Sequence, residues 1–356
     1  MALRSAASVD IDFDAISHAL VIDAFWAQAP GGDVWRETIS RRSSADSVEV
    51  GVLNRERPKT EEEEELSVGG FLTVLGEDEK PSTVMFSFPS RHHPLPDESQ
   101  QLTFRAHFKQ PMGLHPTLQL SFPTAHLTPP SESCALHAYL TLPSTIFIDR
   151  YQLSDPLFLA SQNLTFLRVL SGETDLEAPV WVIKRWGSAA LFELAQPPEP
   201  ASDSGAAEKG LAEWTASIPL HLRYLSPLNS STFLIGTSDQ REIGVPWPTV
   251  FWACEAEEGL KMGTNPFDRV NLGYDGLFGP KTMFYHVPPA SVGSGRLMEP
   301  LRVPVADAAK TRNVSIGTAA AVFLGFMWIC WQLGKVWSRR GYGNEQPRVK
   351  VEGKRK

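Results

Sequence analysis

Apolar positions in the middle of this chain recur in short runs, several of them alternating with polar residues. From about Leu102, LTFRAHF, LQLSF, CALHAYLTL, TIFIDRYQL, LTFLRVL and VWVIKRW follow one another, bounded by Pro, Ser, Asp or Gly. Period-two alternation with β-branched and aromatic residues predicts strands, and successive short strands predict a sandwich-like or open-barrel domain. Residues 196–212, QPPEPASDSGAAEKGLA, read as a linker or long loop. Strand texture resumes with WTASIPLHLRYL, STFLIGT, GVPWPTVFWAC and TMFYHV. Pro246 and Pro248 mark the third of these as an edge or bulged strand. The β-rich body thus divides into residues 102–195 and 213–287, followed by a stalk over 288–312.

Helical texture is scarce until Asn313–Gly334, where 22 residues pass without a charge. As a helix this stretch is long enough to cross the ~30 Å hydrocarbon core of a bilayer. A lone segment can satisfy its backbone polar groups in lipid only as a helix. The expected fold class is therefore mainly β: a sandwich-like ectodomain followed by one C-terminal transmembrane helix.

Charge sets an orientation. Residues 335–356 carry eight Lys or Arg against two Glu, although the whole chain is at −8. A basic excess beside a span marks the cytoplasmic side, and Trp328, Trp331 and Trp337 cluster at that end as interfacial aromatics do. The tail is expected in the cytosol and the body in the endoplasmic reticulum (ER) lumen or outside the cell. The opening residues do not read as a cleavable signal, because Asp10, Asp12 and Asp14 stand where a positive and then an apolar region belongs. Residues 1–101 read as a variable extension, with a solvated acidic loop at Arg55–Leu66 and a polar turn at His92-His93.

In a lumenal body the sequons at Asn163 and Asn229 are glycosylation acceptors, while Asn313 abuts the span too closely. Cys330 lies in the span, which leaves Cys134 and Cys254 either as a disulfide or as two buried thiols. Gly317, Ala321 and Gly325 repeat every four residues and give the span one small-residue face for a partner helix.

Catalytic signals are absent from the sequence: no G-x-S-x-G, no G-x-x-x-x-G-K-[ST], no G-x-G-x-x-G and no H-E-x-x-H. Asp10, Asp12 and Asp14 match a short D-x-D cation motif but lack the strand–helix alternation of nucleotide-sugar enzymes. Cys134 and His137 lie three apart, which on a strand sends them to opposite faces and argues for packing over zinc. No metal or cofactor is expected.

Ordered blocks are more specific: GLHPTLQL at 113–120, LPSTIFIDRYQLSD at 142–155, LSGETDLEAPVW at 170–181, IPLHLRYLSP at 218–227, VPWPTVFWAC at 245–254 and NPFDRVNLGYDGLFGP at 265–280. Together with the single span they resemble the PIG-X family, in particular its fungal Pbn-type members, over roughly residues 102–290 and the anchor. The resemblance implies a non-catalytic ER subunit that stabilises a multispanning PIG-M-type partner. That partner moves the first mannose onto the glycosylphosphatidylinositol (GPI) precursor. The competing class is an ER quality-control or glycan-binding protein.

Within the matched blocks, Pro227, Pro246 and Pro248 are expected to set turns, and Tyr224, Trp247 and Phe251 to sit in the core. His221 and Arg223 are expected to share a strand face and meet a carboxylate or the partner. Asp149 and Arg150 are expected to form a structural ion pair, and Asn265, Pro266 and Asp268 a turn. None reads as an active site.

Overall fold

The computed structural model describes residues 8–25, 47–56, 65–96, 101–110, 113–196, 213–227, 240–256, 272–290 and 297–338, with residues 6, 43, 45, 99, 265 and 268. The expected strand STFLIGT, most of the 196–212 linker, the acidic run Glu61–Glu64, Asn229, Pro266 and the tail beyond Ser338 lie outside the described residues. The chain forms two compact units, residues 1–225 with 242–301, and residues 226–241 with 302–356.

The first unit opens with an antiparallel hairpin, β1 (Ser8–Asp14) and β2 (Ala19–Phe25), and a meander of β3 (Glu49–Glu56), β4 (Glu65–Val74) and β5 (Ser82–Pro89). After these come β6 (His92–Pro94), β7 (Arg105–Phe108), β8 (Thr117–Pro123), β9 (Ala135–Pro143) and β10 (Ile146–Phe147). A short helix, α1 (Pro156–Ser161), precedes β11 (Leu164–Gly172) and β12 (Gly187–Leu194). The remaining strands are β13 (Glu213–Pro219), β14 (His221–Leu222), β15 (Gln240–Pro246), β16 (Thr249–Glu255), β17 (Thr282–Val287) and β18 (Met298–Pro304).

The main sheet has the order β11-β12-β9-β16-β17-β6, antiparallel except for the last pair. A second sheet, β13-β8-β7, alternates so that Leu118, Leu120 and Phe122 of β8 and Ala216 and Ile218 of β13 are all buried. Phe104, Phe122 and Trp214 extend that packing through ring contacts of 5.6–6.2 Å. The molecule is mainly β, as the alternation predicts.

Three sequence expectations fail, each for a physical reason. Pro246 and Pro248 do not weaken a strand, because they precede β16 rather than interrupt it; β16 is central, flanked by β9 and β17. Its run VFWAC is apolar on both faces, with Phe251 and Ala253 on one side and Val250, Trp252 and Cys254 on the other, all buried. The run VWVIKRW is no strand: Val182 and Ile183 donate to the carbonyls of Pro179 and Val180 in a tight turn. The third expectation is the polar turn at His92-His93. His92–Pro94 pairs in parallel with β17, so the expected polar turn at His92-His93 is a buried edge strand.

Glycine permits the tightest approach in the main sheet. Gly187 opens β12 at φ +152°, and a Cβ there would lie 2.0 Å from the Leu142 carbonyl oxygen.

The expected stalk contains β18, an Asp307-capped 3-10 turn at Ala308–Lys310, and then the helix α2 (Thr311–Ser338). At 28 residues, α2 is about 42 Å long and exceeds the hydrocarbon thickness. It is long and apolar enough to cross a membrane and is exposed throughout. Trp328 and Trp331 meet edge to face at 5.2 Å, and the Lys335 ammonium lies 3.5 Å from the Trp331 ring centre.

Candidate functional site

Strand register assembles a polar and aromatic row across one face of the main sheet. Glu193 pairs with His137, His137 with Phe251, and Phe251 with His286. Arg168 is skipped by the β11–β12 register, and at this bulge it reaches across to Glu193, its Nε donating at 2.6 Å. Because Arg168 claims the Glu193 carboxylate, His137 keeps only a 3.8 Å contact with it, and its Nδ1–H donates to the Ala135 carbonyl at 2.9 Å. Burial holds the His137 imidazole below its ordinary pKa, with Ala135 and Glu193 opposing the shift and Arg168 adding to it. The neutral ring stacks on Phe251 with centres 5.7 Å apart.

The row continues into a buried cluster of Leu191, Phe251, Ala253, Tyr274 and Phe284. Phe251 and Tyr274 stack at 4.4 Å, while Phe284 meets Phe251 edge to face at 5.4 Å. At its end the His92 Nδ1 and His286 Nε2 atoms are 2.9 Å apart, and the Tyr274 hydroxyl lies 3.4 Å from the same Nε2. The Tyr274 hydroxyl and both imidazoles thus meet at one nitrogen, with the tautomer deciding which group donates. Among the described residues no group of three or more His, Cys, Asp or Glu is placed to hold a metal.

A second constellation gathers several motif residues around the β10–β14 ribbon. Leu220 and Leu222 donate to the carbonyls of Pro116 and Leu114, which brings His115 beside His221. Their Nδ1 atoms are 2.8 Å apart, and His221 Nε2 lies 3.0 Å from the Gln152 side-chain oxygen. With Nε2–H donating to Gln152, His221 Nδ1 must accept from His115 Nδ1–H. Burial, then the neighbouring His115, hold His221 below its ordinary pKa against the pull of Asp149. The two histidines line an open cleft of about 370 Å³ with Thr117, Gln152, Phe158 and Gln162.

His221 also stacks on Phe147 at 5.1 Å, and the Arg223 guanidinium sits over the same ring at 4.6 Å. Arg223 is buried, feels the charges of Glu173 and Asp175, and donates from Nη1 to the Ala178 carbonyl at 2.9 Å, which pins the β11–β12 loop. Asp149 and Arg150 form no ion pair. Asp149 accepts from the backbone N–H groups of Tyr151 and Gln152 and caps the next turn, while Arg150 turns to the Tyr151 hydroxyl at 2.9 Å. Tyr224 is not core: it follows buried Arg223, faces the other way and is 72% exposed. Trp247 is half-buried against Phe104, Pro246 is half-buried and Pro227 is exposed. Asp268 accepts from the Arg91 N–H at 2.7 Å and from the Ser90 hydroxyl, which ties it to the link between β5 and β6.

Elsewhere, Cys134 and Cys254 are joined in a disulfide across β9 and β16. Asn163 stands at φ +56° just beyond α1, and its Nδ2 donates to the Thr215 carbonyl at 2.7 Å. The sequence reading of this residue as an acceptor alone missed that cap. Gly317 and Gly325 on α2 are open, with nothing within 4 Å of an added Cβ.

These features define a class: a β domain locked by buried aromatic–histidine packing, joined in sequence to one helix able to cross a membrane. The profile of the PIG-X / PBN1 family matches residues 111–334, and the chain belongs to that family. It is similar to Protein pbn1 of Emericella nidulans, 50% identical over 348 residues, and to Protein pbn1 of Neurospora crassa, 49% identical over 345. Those alignments cover 94% and 96% of this chain, so they run well into the first hundred residues, which the sequence reading left as a variable extension. A more distant relative, Protein pbn1 of Schizosaccharomyces pombe, is 31% identical over 189 residues, 53% of this chain and 52% of its own. The chain spans only 62% and 63% of the length of the first two relatives.

Proposed function

We propose that this chain is a non-catalytic subunit of the ER GPI mannosyltransferase I complex, stabilising a multispanning PIG-M-type enzyme that adds the first mannose to the GPI precursor. Family membership supports the reading, and the state of α2 carries it to a mechanism. The helix presents Gly317, Ala321 and Gly325 with open space around both glycines, so another helix can approach to van der Waals contact. A subunit that binds only the folded enzyme stabilises it by about 2.7 kcal/mol at 100-fold over Kd. The body occupies the lumen, with Asn163 and Asn229 as acceptors, and the basic tail lies in the cytosol.

The test is affinity purification of the full chain co-expressed with the polytopic enzyme. One stoichiometric multispanning partner, reduced several-fold by Gly325→Leu, is the expected result. Many substoichiometric clients instead would favour a quality-control protein. An endoglycosidase H mobility shift lost in Asn163→Gln and Asn229→Gln would establish the lumenal body; protease sensitivity in sealed microsomes would overturn it.

A further inference from the structure

Trp181, Val182 and Trp186 are 61%, 57% and 63% exposed, all within one loop of the domain. The loop runs from Gly172 at the end of β11 to Gly187 at the start of β12 and is firmly held. Arg223 fixes Ala178, the Val180 N–H donates to the Tyr224 carbonyl, and Arg185 Nη1 donates to the Gly172 carbonyl at 2.5 Å. The exposed apolar groups are therefore presented by a braced turn. Lys184 and Arg185 are exposed beside them, and Tyr224 adds a third exposed ring next to the turn.

Sheet topology gives this loop a definite end. Gly187 pairs with Pro143, Thr249 with Tyr139, and Val250 with Val287. The 173–186 loop thus lies at the sheet end that holds the start of β16 and the end of β17. Trp247, just before β16, donates its backbone N–H to the Leu297 carbonyl, and the chain continues in sequence to β18 and α2.

We propose that Trp181, Val182 and Trp186 insert into the interfacial layer of the bilayer that anchors α2, with Lys184 and Arg185 meeting lipid phosphates. Tryptophan favours the boundary between hydrocarbon and headgroups, and flanking cations reach phosphate from there. The anchor keeps lipid at high effective concentration, so a small patch suffices. Glu173, Asp175 and Glu177 occupy the first half of the loop and outnumber its two cations, so contact rests on apolar insertion and responds little to salt. The inference rests on the membrane anchoring of the proposed function and not on the identity of the enzyme partner.

The test uses the full chain with Cys330→Ser, carrying an environment-sensitive fluorophore at Val182→Cys, in phosphatidylcholine proteoliposomes. The control position is Leu157→Cys on α1, which precedes the start of β11 at the opposite sheet end. Expected at 182 are a blue-shifted emission, quenching by shallow doxyl lipids, and iodide quenching about threefold lower than at 157. Trp181→Ser with Trp186→Ser should abolish that protection while the protein still floats with the vesicles. Iodide quenching equal at both positions overturns the proposal, as does protection at 182 that arises only when the polytopic enzyme is co-reconstituted, which would make the loop a protein-docking face. Failure to float would refute the anchor itself, a separate result from loss of protection in floating protein.

Discussion

The disulfide offers the largest single perturbation of the body. Cys134 and Cys254 are 120 residues apart in sequence, yet sit at the ends of adjacent strands where Ala135 pairs with Ala253. Closing a loop of that length restricts the unfolded chain by about 5 kcal/mol in the chain-entropy description, with delivered values usually nearer 3–5. Both sulfurs are buried, so an alanine pair also forfeits a small apolar contact. Against a total stability of roughly 5–15 kcal/mol, the loss is a large fraction. Cys134→Ala with Cys254→Ala should lower the Tm of the detergent-solubilised chain by about 10–15 °C. Cys330, exposed on α2, is replaced by Ser in every version so that no other thiol reports. The measurement is a thermal melt with and without reductant, paired with thiol alkylation under denaturing conditions. Reductant should shift the parent to the Tm of the double variant and leave that variant unmoved. Equal Tm values for the oxidised parent and the double variant would refute the entropic argument, and free alkylation of both residues in untreated protein would refute the pairing.

Phe251→Ala should cost about 3–5 kcal/mol in urea unfolding, and Phe251→Leu under about 2, because the phenyl ring is completely enclosed by His137, Tyr274, Phe278 and Phe284. His137 and His221 are both held below their ordinary value of 6.5, so the unfolded chain binds more protons just below that pH. Their contribution is fully present above about pH 6.5 and is lost as pH falls toward the folded values. The Tm should therefore fall between about pH 7.5 and 5.5, and His137→Gln should flatten the slope. An unchanged slope in that variant would assign the pH response to other groups. In the membrane, Gly325→Leu should reduce co-purification of the enzyme while leaving the Tm of the isolated body unchanged.

Much of the architecture was legible because burial and periodicity coincide in it. β9 and β13 alternate since one face of each is the deeper, and α2 announces itself because a charge anywhere in Asn313–Gly334 would be costly in lipid. The run VWVIKRW is apolar like a strand but forms a turn with Trp181, Val182 and Trp186 facing outward, and composition does not report which side is wet. The β16 prolines were misplaced by two residues, which is enough to convert an interrupted strand into a corner before an intact one. His92 and His93 looked like a turn because their partners, Phe284 and Tyr285, lie nearly two hundred residues onward. The Arg168–Glu193–His137 relay and the His115–His221 pair depend on register between distant strands, for which local sequence carries no signal. Tyr224 is exposed where core was expected, since alternation shows that it and Arg223 face apart but not which of them is enclosed.

Strand β17 lies inside the main sheet, between β16 and β6, and β18 follows it in sequence before α2 begins. Tension drawn along that strand meets its ladder with β16 in shear, so the paired rungs from Val250–Val287 to Glu255–Thr282 share the load rather than opening one after another. The next junction inward, β16 to β9, has the Cys134–Cys254 bond beside its own ladder. A sheet built this way meets a pull along β17 in its most resistant direction and should hold its shape under load.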